Sequence, residues 1–577
     1  MWVFDFEVFK YDWLVVIENI TTDQCFNIVN SREQLLEFYN EHKKELLVGY
    51  NNKRYDDYIF KGILLGENPK YLNDIIIEEG NIMKLWNLFD LNKYPLATLD
   101  ISQNSLMTSL KQNEGWLGLD IEESSVPFDI DRQLTNDEIE DVLYYCRHDV
   151  KATKSLFMKH LPSIKTKFEL VKKYNLSMYD LKKTNAQLTA KILKADKINE
   201  YEDEYDPYVA PKELQLGRYG YILDFYTNPK DGKLNYEDEL VVDIAGVEHT
   251  LKFGGLHGAR KSYRSSGEDK LWLMDVSSYY PSLMYYLGYM SRGIPKSERE
   301  TFKDIYDTKF RLSAEGRSSE TKSQKLILNT IYGCMKNKYN GLYDPRMVNN
   351  VCITGQLLLI DLIDKVEDYA TLIQSNTDGI IIIPNDEAKV LEAMKEWSIR
   401  TKMPIEPEIV KALYQKDVNN YIMINEDDSI TLKGAMVSQS KYGKSNNPNK
   451  NSKSIVDDCV VNYFVNGISP ERTVYECNDL MKYQIITKTG KSYAKTVWET
   501  PFGDKEVQNV NRVYATKQKQ YGKLYKCKER EIGFSREQLA NLPDHCMLDN
   551  RNNFDIKYLD KQYYINEAKD RIKMFKE

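Results

Sequence analysis

Apolar stretches at 1 to 8, 13 to 18 and 24 to 29, separated by polar breaks, predict three strands. A helix from Ser31 to about Lys44 and a strand running into Gly49-Tyr50 follow. Strands alternating with helices predict an α/β domain, closed by a helix from Thr135 to His160 that opens with a capping-box pattern, Thr135-Asn-Asp-Glu138. Within VFDFEVF, a period of two puts Asp5 and Glu7 on one face and Phe4, Phe6 and Val8 on the other.

A polar helical stretch comes next, and the acidic EYEDEYDP at 200 to 207 suits a domain boundary. From about 240 a second unit begins with strand-like LVVDI and LWLMDV. In KLILNTIYG, Lys325, Asn329 and Tyr332 fall at i, i+4 and i+7, one face of a helix, while Leu326, Ile327, Leu328 and Ile331 cover the remainder. Two apolar runs between 371 and 383 flank Ser375-Asn-Thr-Asp378-Gly, a hairpin with Asp378 at its tip. SKYGKSNNPNKNS, 440 to 452, reads as an exposed loop, and no internal repeat or low-complexity tract is visible.

Length changes the picture first: 577 residues are too many for one core and predict several lobes. With 42% hydrophobic and 29% charged residues and no apolar run near membrane-span length, the composition argues against disorder and membrane insertion. MWVFDFEVF lacks the basic-then-apolar order of a secretory signal, which predicts an intracellular, cytoplasmic protein. Eight scattered cysteines without a CxxC pair argue against a zinc or iron-sulfur site and for reduced thiols. The net charge of −8 conceals a polarity: residues 1 to 150 carry 13 Lys and Arg against 28 Asp and Glu, whereas residues 431 to 530 carry 18 against 9. That division suits metal coordination in the front part and phosphate contact toward the back.

Two carboxylates on one strand face need compensation, most simply from a divalent cation. YNNKRYDDYIF adds Asn52 and Asp56, and Tyr145-Cys-Arg-His-Asp149 puts Tyr145 and Asp149 four apart on a helix face. Taken in order, DxE, NxxYD and YxxxD resemble the three exonuclease motifs of proofreading DNA polymerases in the RNase H-like fold. The resemblance implies that Asp5, Glu7, Asp56 and Asp149 hold two Mg²⁺ or Mn²⁺ ions and that Tyr145 orients the attacking water. It further implies that Asn52, Ser109 and Leu110 hold a single-stranded 3′ end.

Asp275 ends the apolar run LWLMDV, and Pro281 beyond it suits a helix start. DVSSYYPS, KLILNTIYG and QSNTDG together resemble motifs A, B and C of family B DNA polymerases. By this resemblance Asp275, the Val276 carbonyl and Asp378 bind catalytic metals and Lys325 binds the triphosphate. Asn329, Tyr332 and Gly333 check the nascent pair, and Tyr280 excludes a 2′-hydroxyl. Two residues depart from the motifs: Asn376 stands where the family has its first motif C Asp, and Gly379 where it has Ser.

LKFGGLHGA resembles the glycine-pair linker that contacts template in phage enzymes, through Gly254 and Gly255, with Lys252 in place of its tyrosine. Lys416 and Tyr421 occupy the place of a primer-binding motif. Arg512, Lys517, Lys519 and Lys523 interleave with tyrosines, as in a thumb on duplex phosphates.

The implied layout is α/β multidomain, an RNase H-like exonuclease domain followed by a palm, fingers and thumb right hand. It has exonuclease at 1–165, a helical connector at 166–240, palm at 241–290 and 338–435, fingers at 291–337, and thumb and C-terminal region at 436–577. The large insertions of protein-primed members find no room between the motifs, so the resemblance implies a compact phage or mobile-element replicase in a bacterial host. It would act as a monomer on primer-template DNA and dNTPs with replication accessory proteins. The competing expectation is a 3′ to 5′ exonuclease whose polymerase half mainly binds DNA.

Overall fold

The computed structural model describes residues 1–577 apart from 23, 106–107 and 444–449, and of residue 105 only the backbone. Part of the loop expected at 440–452 therefore lies outside the described residues. The chain divides into two compact units, one formed by Met1–Thr184, Asn447–Ile455 and Val474–Ile565, the other by Asn185–Asn446, Val456–Thr473 and Asn566–Glu577. The segment 436–577 is thus shared between them.

In the first unit, strands Cys25–Val29, Trp13–Asn19, Trp2–Val8, Leu47–Gly49 and Thr98–Asp100 form a sheet in that spatial order. The first two pairings are antiparallel and the last two parallel. Phe4, Phe6 and Val8 enter a core with Trp13 and Phe60, as the two-residue period requires. Ser31 caps helix Arg32–His42 by accepting from the Gln34 amide. Thr135 and Glu138 make both halves of the capping box that starts helix Asn136–Lys159. From the later segment come a three-stranded sheet of Ile485–Lys488, Val510–Ala515 and Cys546–Leu548, and a four-stranded one of Gly503–Val507, Lys495–Thr500, Leu524–Glu529 and Phe534–Gln538.

The second unit is built on a seven-stranded antiparallel sheet ordered Ile430–Lys433, Asn420–Asn425, Ile405–Asp417, Leu271–Val276, Gly379–Pro384, Ala370–Asn376, His257–Ala259. Strand Leu271–Val276 is therefore central, flanked by Ile405–Asp417 and Gly379–Pro384. Helix Pro345–Val366 is buried at every residue from Val351 to Ile363. A helix apolar all round becomes core; its length and hydropathy would suit a membrane span, but it is mostly buried within the protein. Helices Arg299–Ala314 and Lys322–Met335 pack together, the second also against the buried helix; on it Ile327, Leu328 and Ile331 are buried, Lys325 and Asn329 are exposed, and Tyr332, the third member of the expected stripe, is half-buried.

Candidate active sites

In the first unit an open cleft of about 870 Å³ is lined by Asp5, Glu7, Asp56 and Asp149, together with Tyr55 and Asn51. Those four carboxylates reach it from strand Trp2–Val8 and two helices, and Asp74, Glu78 and Asp129 line it as well. The Asp56 Oδ1 accepts from the Phe6 amide at 3.1 Å, which ties its helix to that strand. Burial first, then repulsion from Asp56, Glu7 and Asp149, raises the Asp5 carboxyl well above its ordinary range. Glu7 is raised by burial and Asp149. Asp56 is pushed up to about 8 by burial, against the Phe6 hydrogen bond. Such a group holds protons at neutral pH unless positive charge joins it. Donor atoms of Asp5, Glu7 and Cys146 all lie within 4.8 Å of one another, and the Cys146 Sγ approaches the Asp5 carbonyl oxygen at 3.3 Å.

Besides Lys10 and Lys70 in the lining, a further cation stands behind Asp149. The Lys111 ammonium contacts Asp149, donates to Glu114 at 3.1 Å, and lies 4.4 Å from the Tyr145 ring centre. Burial opposes its charge, but Asp149 and Glu114 outweigh burial and raise its pKa. His148 lies 3.6 Å from Glu114 and 3.8 Å from Asp149; bonding to Asp149, then Glu114, pushes its pKa up to about 9. Neither Lys111 nor Glu114 belongs to a sequence motif noted above; they are an i, i+3 pair on helix Leu110–Leu117.

Asn52 is a correction. It is fully buried at 0% exposure, with its Nδ2 donating to Asp57 at 2.8 Å, so it cannot touch a strand; Asn51 lines the cleft instead. Ser109 caps helix Leu110–Leu117 through a capping box with Gln112; it and Leu110 are half-buried.

In the second unit a cleft of about 480 Å³ gathers Asp275, Val276, Tyr280, Lys325, Asn329, Tyr332 and Asp378. The hairpin turns through Thr377-Asp378, with Asn376 opposite Gly379, and Gly379 in turn pairs with Asp275. The Val276 amide donates to the Asp378 carbonyl at 2.8 Å, which locks the two carboxylate-bearing segments together. Asp275 keeps an exposed face, yet its carboxyl is pushed up to about 7 by desolvation in the cleft, then by Asp378 and Glu408. Asp378 is raised by desolvation, with Lys433 and His257 opposing. Lys309 also lines the cleft although only 7% exposed, its pKa lowered by burial and then by Lys325. Glu408 and Lys309 escaped sequence reading because strand register and helix pairing bring them in. Gly333 sits on the exposed side of its helix, with no atom within 4 Å of where a side chain would start.

Gly254 and Gly255 line a neighbouring hollow of about 660 Å³ with Tyr236, Phe253, His257 and Asn419. A Cβ on Gly255 would meet Thr377 Oγ1 at 2.7 Å and its Cα at 3.0 Å, so the glycine lets this loop press against the hairpin turn. Gln356 fastens the loop by donating from Nε2 to the Lys252 and Gly254 carbonyls at 2.5 and 2.8 Å. Tyr421 packs its ring in the core with Leu271 and Leu413, and its hydroxyl bonds to Gln374 and Asn376 of the hairpin. Lys416 pairs with Asp417 at 3.0 Å.

Arg512 is a second correction. Within the first unit it is 0% exposed, its guanidinium donating to Gln484 Oε1 at 2.8 Å, to Asn552 Oδ1 at 2.5 Å and to the Leu119 carbonyl at 2.6 Å. Those acceptors satisfy it internally, so it cannot meet DNA phosphates. Lys523 pairs with Asp544 at 2.6 Å, whereas Lys517 and Lys519 are exposed.

No family model matches the chain. No curated protein matches it either. Among solved structures it is similar to the family B DNA polymerase from the hyperthermophilic archaeon Pyrobaculum calidifontis, with 13% identity and a TM-score of 0.42 over 100% of this chain and 78% of that one.

Proposed function

We propose that the chain is a DNA-templated DNA polymerase that adds deoxynucleotides to a primer 3′ end and carries a separate 3′ to 5′ exonuclease site. The observation that carries this reading is the convergence in one cleft of Asp275, Asp378, Lys325, Asn329, Tyr332 and Tyr280 from three separated segments. A carboxylate pair with a lysine and an aromatic wall opposite suits a nucleoside triphosphate: anions for metal, cation for phosphate, rings for sugar and base.

Asp275, the Val276 carbonyl and Asp378 would hold Mg²⁺ or Mn²⁺ in this cleft, and Asp5, Glu7, Asp56 and Asp149 would hold them in the other. The donors are oxygens, which suit hard divalent ions, and at Asp5, Glu7, Asp56, Asp275 and Asp378 burial favours the protonated form until positive charge arrives. When bound, such ions lower the pKa of an attacking hydroxyl or water and neutralise charge on the leaving group.

The chain's own residues do the rest. Lys325 meets the triphosphate, with Lys309 adding positive potential behind it. Tyr280 and Tyr332 wall the sugar side, and Asn329 offers an amide to the nascent pair. At the other cleft Lys111 balances Asp149, and Tyr145, held beside it, orients the water for excision.

Extension of a 5′-labelled primer on a DNA template with dNTPs and Mg²⁺ tests this, with elongated product expected. Degradation of the single strand without any elongation would instead identify an exonuclease whose second unit only holds DNA, the reading favoured by Asn376 at the motif C position.

A further inference from the structure

Tyr280 and Tyr332 form one wall of the nucleotide cleft, and neither is free to choose its position. Their rings meet at 4.5 Å with an interplanar angle of 53°. Behind them runs the buried helix Pro345–Val366, which contributes no residue to the cleft lining. Two of its positions nevertheless touch the tyrosines. The Cys352 thiol is hydrogen-bonded to the Tyr332 hydroxyl. Three residues on, Gly355 leaves its side-chain position empty: a Cβ there would lie 3.3 Å from Tyr280 Cε1 and 3.5 Å from Tyr279 Cε1. The Gly355 carbonyl also accepts from the Tyr279 hydroxyl at 2.7 Å, which fixes the backbone next to Tyr280.

We infer that Cys352 and Gly355 are positioning residues that set the sugar selectivity of the cleft, by fixing the angle of Tyr332 and the depth of Tyr280. This deepens the polymerase reading and rests on it. Gly355 carries no strained backbone angle, since its φ is not among the positive ones. Its lack of a side chain therefore serves space, and the space is what lets Tyr280 lie back against the helix. Cys352 is buried among apolar neighbours, and burial raises the pKa of its thiol. It is therefore an inert thiol whose use is its hydrogen bond. Lys336, with its Nζ 4.6 Å from the Tyr332 ring centre, is a further contact on the same ring.

A tyrosine that excludes a 2′-hydroxyl acts by distance, so a shift of a few tenths of an ångström changes which sugar is admitted. The two substitutions move the wall in opposite senses. Cys352→Ala releases Tyr332 and lets Tyr280 follow it, so ribonucleotides enter more readily. Gly355→Ala pushes Tyr280 toward the sugar, so ribonucleotides are excluded further and the KM for deoxynucleotides rises.

Single-nucleotide extension of a primer by the full chain, with dNTP and rNTP titrated separately, tests the inference. The rNTP to dNTP ratio of kcat/KM is expected to rise roughly tenfold in Cys352→Ala, the scale of one methyl-sized change in a selective pocket. It should return most of the way in Cys352→Ser, which keeps a hydrogen-bonding group, and fall in Gly355→Ala with the loss seen in KM more than in kcat. Should Gly355→Ala fail to fold, as judged by thermal unfolding, the Cys352 pair decides alone. Extension at an unchanged ratio overturns this inference and leaves the polymerase reading standing. No extension by the unaltered protein overturns that reading and the inference with it.

Discussion

Gly379 and Asp275 face each other across adjacent strands so closely that a Cβ on the glycine would sit 3.0 Å from the Asp275 Cα and 2.8 Å from the Met274 carbonyl oxygen. Both atoms are backbone and cannot step aside. A side chain here must push the strand that carries Asp275 away from the hairpin that carries Asp378. Gly379→Ser, which would restore the residue usual in the family motif, is expected to destabilise the second unit by about 1–3 kcal/mol. Primer extension should fall while excision of single-stranded DNA persists, and both can be read from one preparation.

The two clefts draw on different residues, so their activities should separate. Asp378→Ala is expected to cut extension by roughly three decades, the scale of losing several kcal/mol of metal-borne stabilisation, and to leave excision unchanged. Asp5→Ala combined with Glu7→Ala should do the reverse. Loss of both activities from either variant would contradict two independent sites.

The parts legible from sequence are those fixed by a local period. Asp5 and Glu7 share a strand face because side chains alternate, and Lys325 and Asn329 share a helix face because a turn takes 3.6 residues. The capping box at Thr135 and Glu138 likewise needs only its own four residues. What required the fold was the pairing of distant segments. The opposition of Gly379 to Asp275 is a matter of strand register. Asn52 and Arg512 were misread because a polar side chain in a motif-like position says nothing about which acceptors the fold will bring to it. Lys111 was passed over for the converse reason: Glu114 is its neighbour on the same helix, but Asp149 reaches it only when helix Leu110–Leu117 packs on helix Asn136–Lys159.

Lys111 places an ammonium against Asp149 of the first cleft, and its removal should be felt there alone. Lys111→Ala takes the ammonium from buried Glu114 and Asp149 and leaves them the His148 ring, 3.6 and 3.8 Å away. Excision is expected to drop roughly 10- to 100-fold, the range for residues that orient a metal ligand. Lys111→Arg should recover part of the loss, and extension should not change. Single-strand degradation measured across a Mn²⁺ series checks this; excision equal to wild type at every concentration would sink it.

His249 gives a pH dependence of stability. It is fully buried, with Nδ1 2.8 Å from the Val247 carbonyl and Nε2 2.6 Å from Ser375 Oγ. A carbonyl can only accept, so Nδ1 donates to it, and Ser375 can give its hydroxyl proton to Nε2 of a neutral ring. Burial lowers its pKa from 6.5 to about 4. Between those values the unfolded chain binds the extra proton and the folded chain does not. Its contribution is therefore complete above pH 6.5 and is lost as pH falls toward 4, amounting to about 3 kcal/mol over that window. The stability of the wild type relative to His249→Gln, followed by urea unfolding from pH 7 to pH 4.5, should decline as the pH drops. A constant difference would refute the neutral assignment.

Arg512 separates a structural from a DNA-contacting reading of the basic segment. Its guanidinium bridges strand Val510–Ala515 to Gln484, to Asn552 and to the backbone at Leu119, just beyond helix Leu110–Leu117. That helix packs on strand Ile485–Lys488 closely enough that a Cβ on Gly115 would meet Ile486 Cδ1 at 2.6 Å. Arg512→Ala strips the buried Gln484 and the less buried Asn552 and Leu119 acceptors of a charged donor and leaves a cavity, which should destabilise the first unit by about 3–5 kcal/mol. Arg512→Lys should recover little, because one ammonium cannot span acceptors arranged for a planar fork. A folded Arg512→Lys protein should bind primer-template with wild-type salt dependence. Lys517→Ala and Lys519→Ala, both at exposed positions, should each reduce the slope of log affinity against log salt by about one if they neutralise a phosphate. A wild-type melting profile for Arg512→Ala with a reduced salt slope would return Arg512 to the DNA.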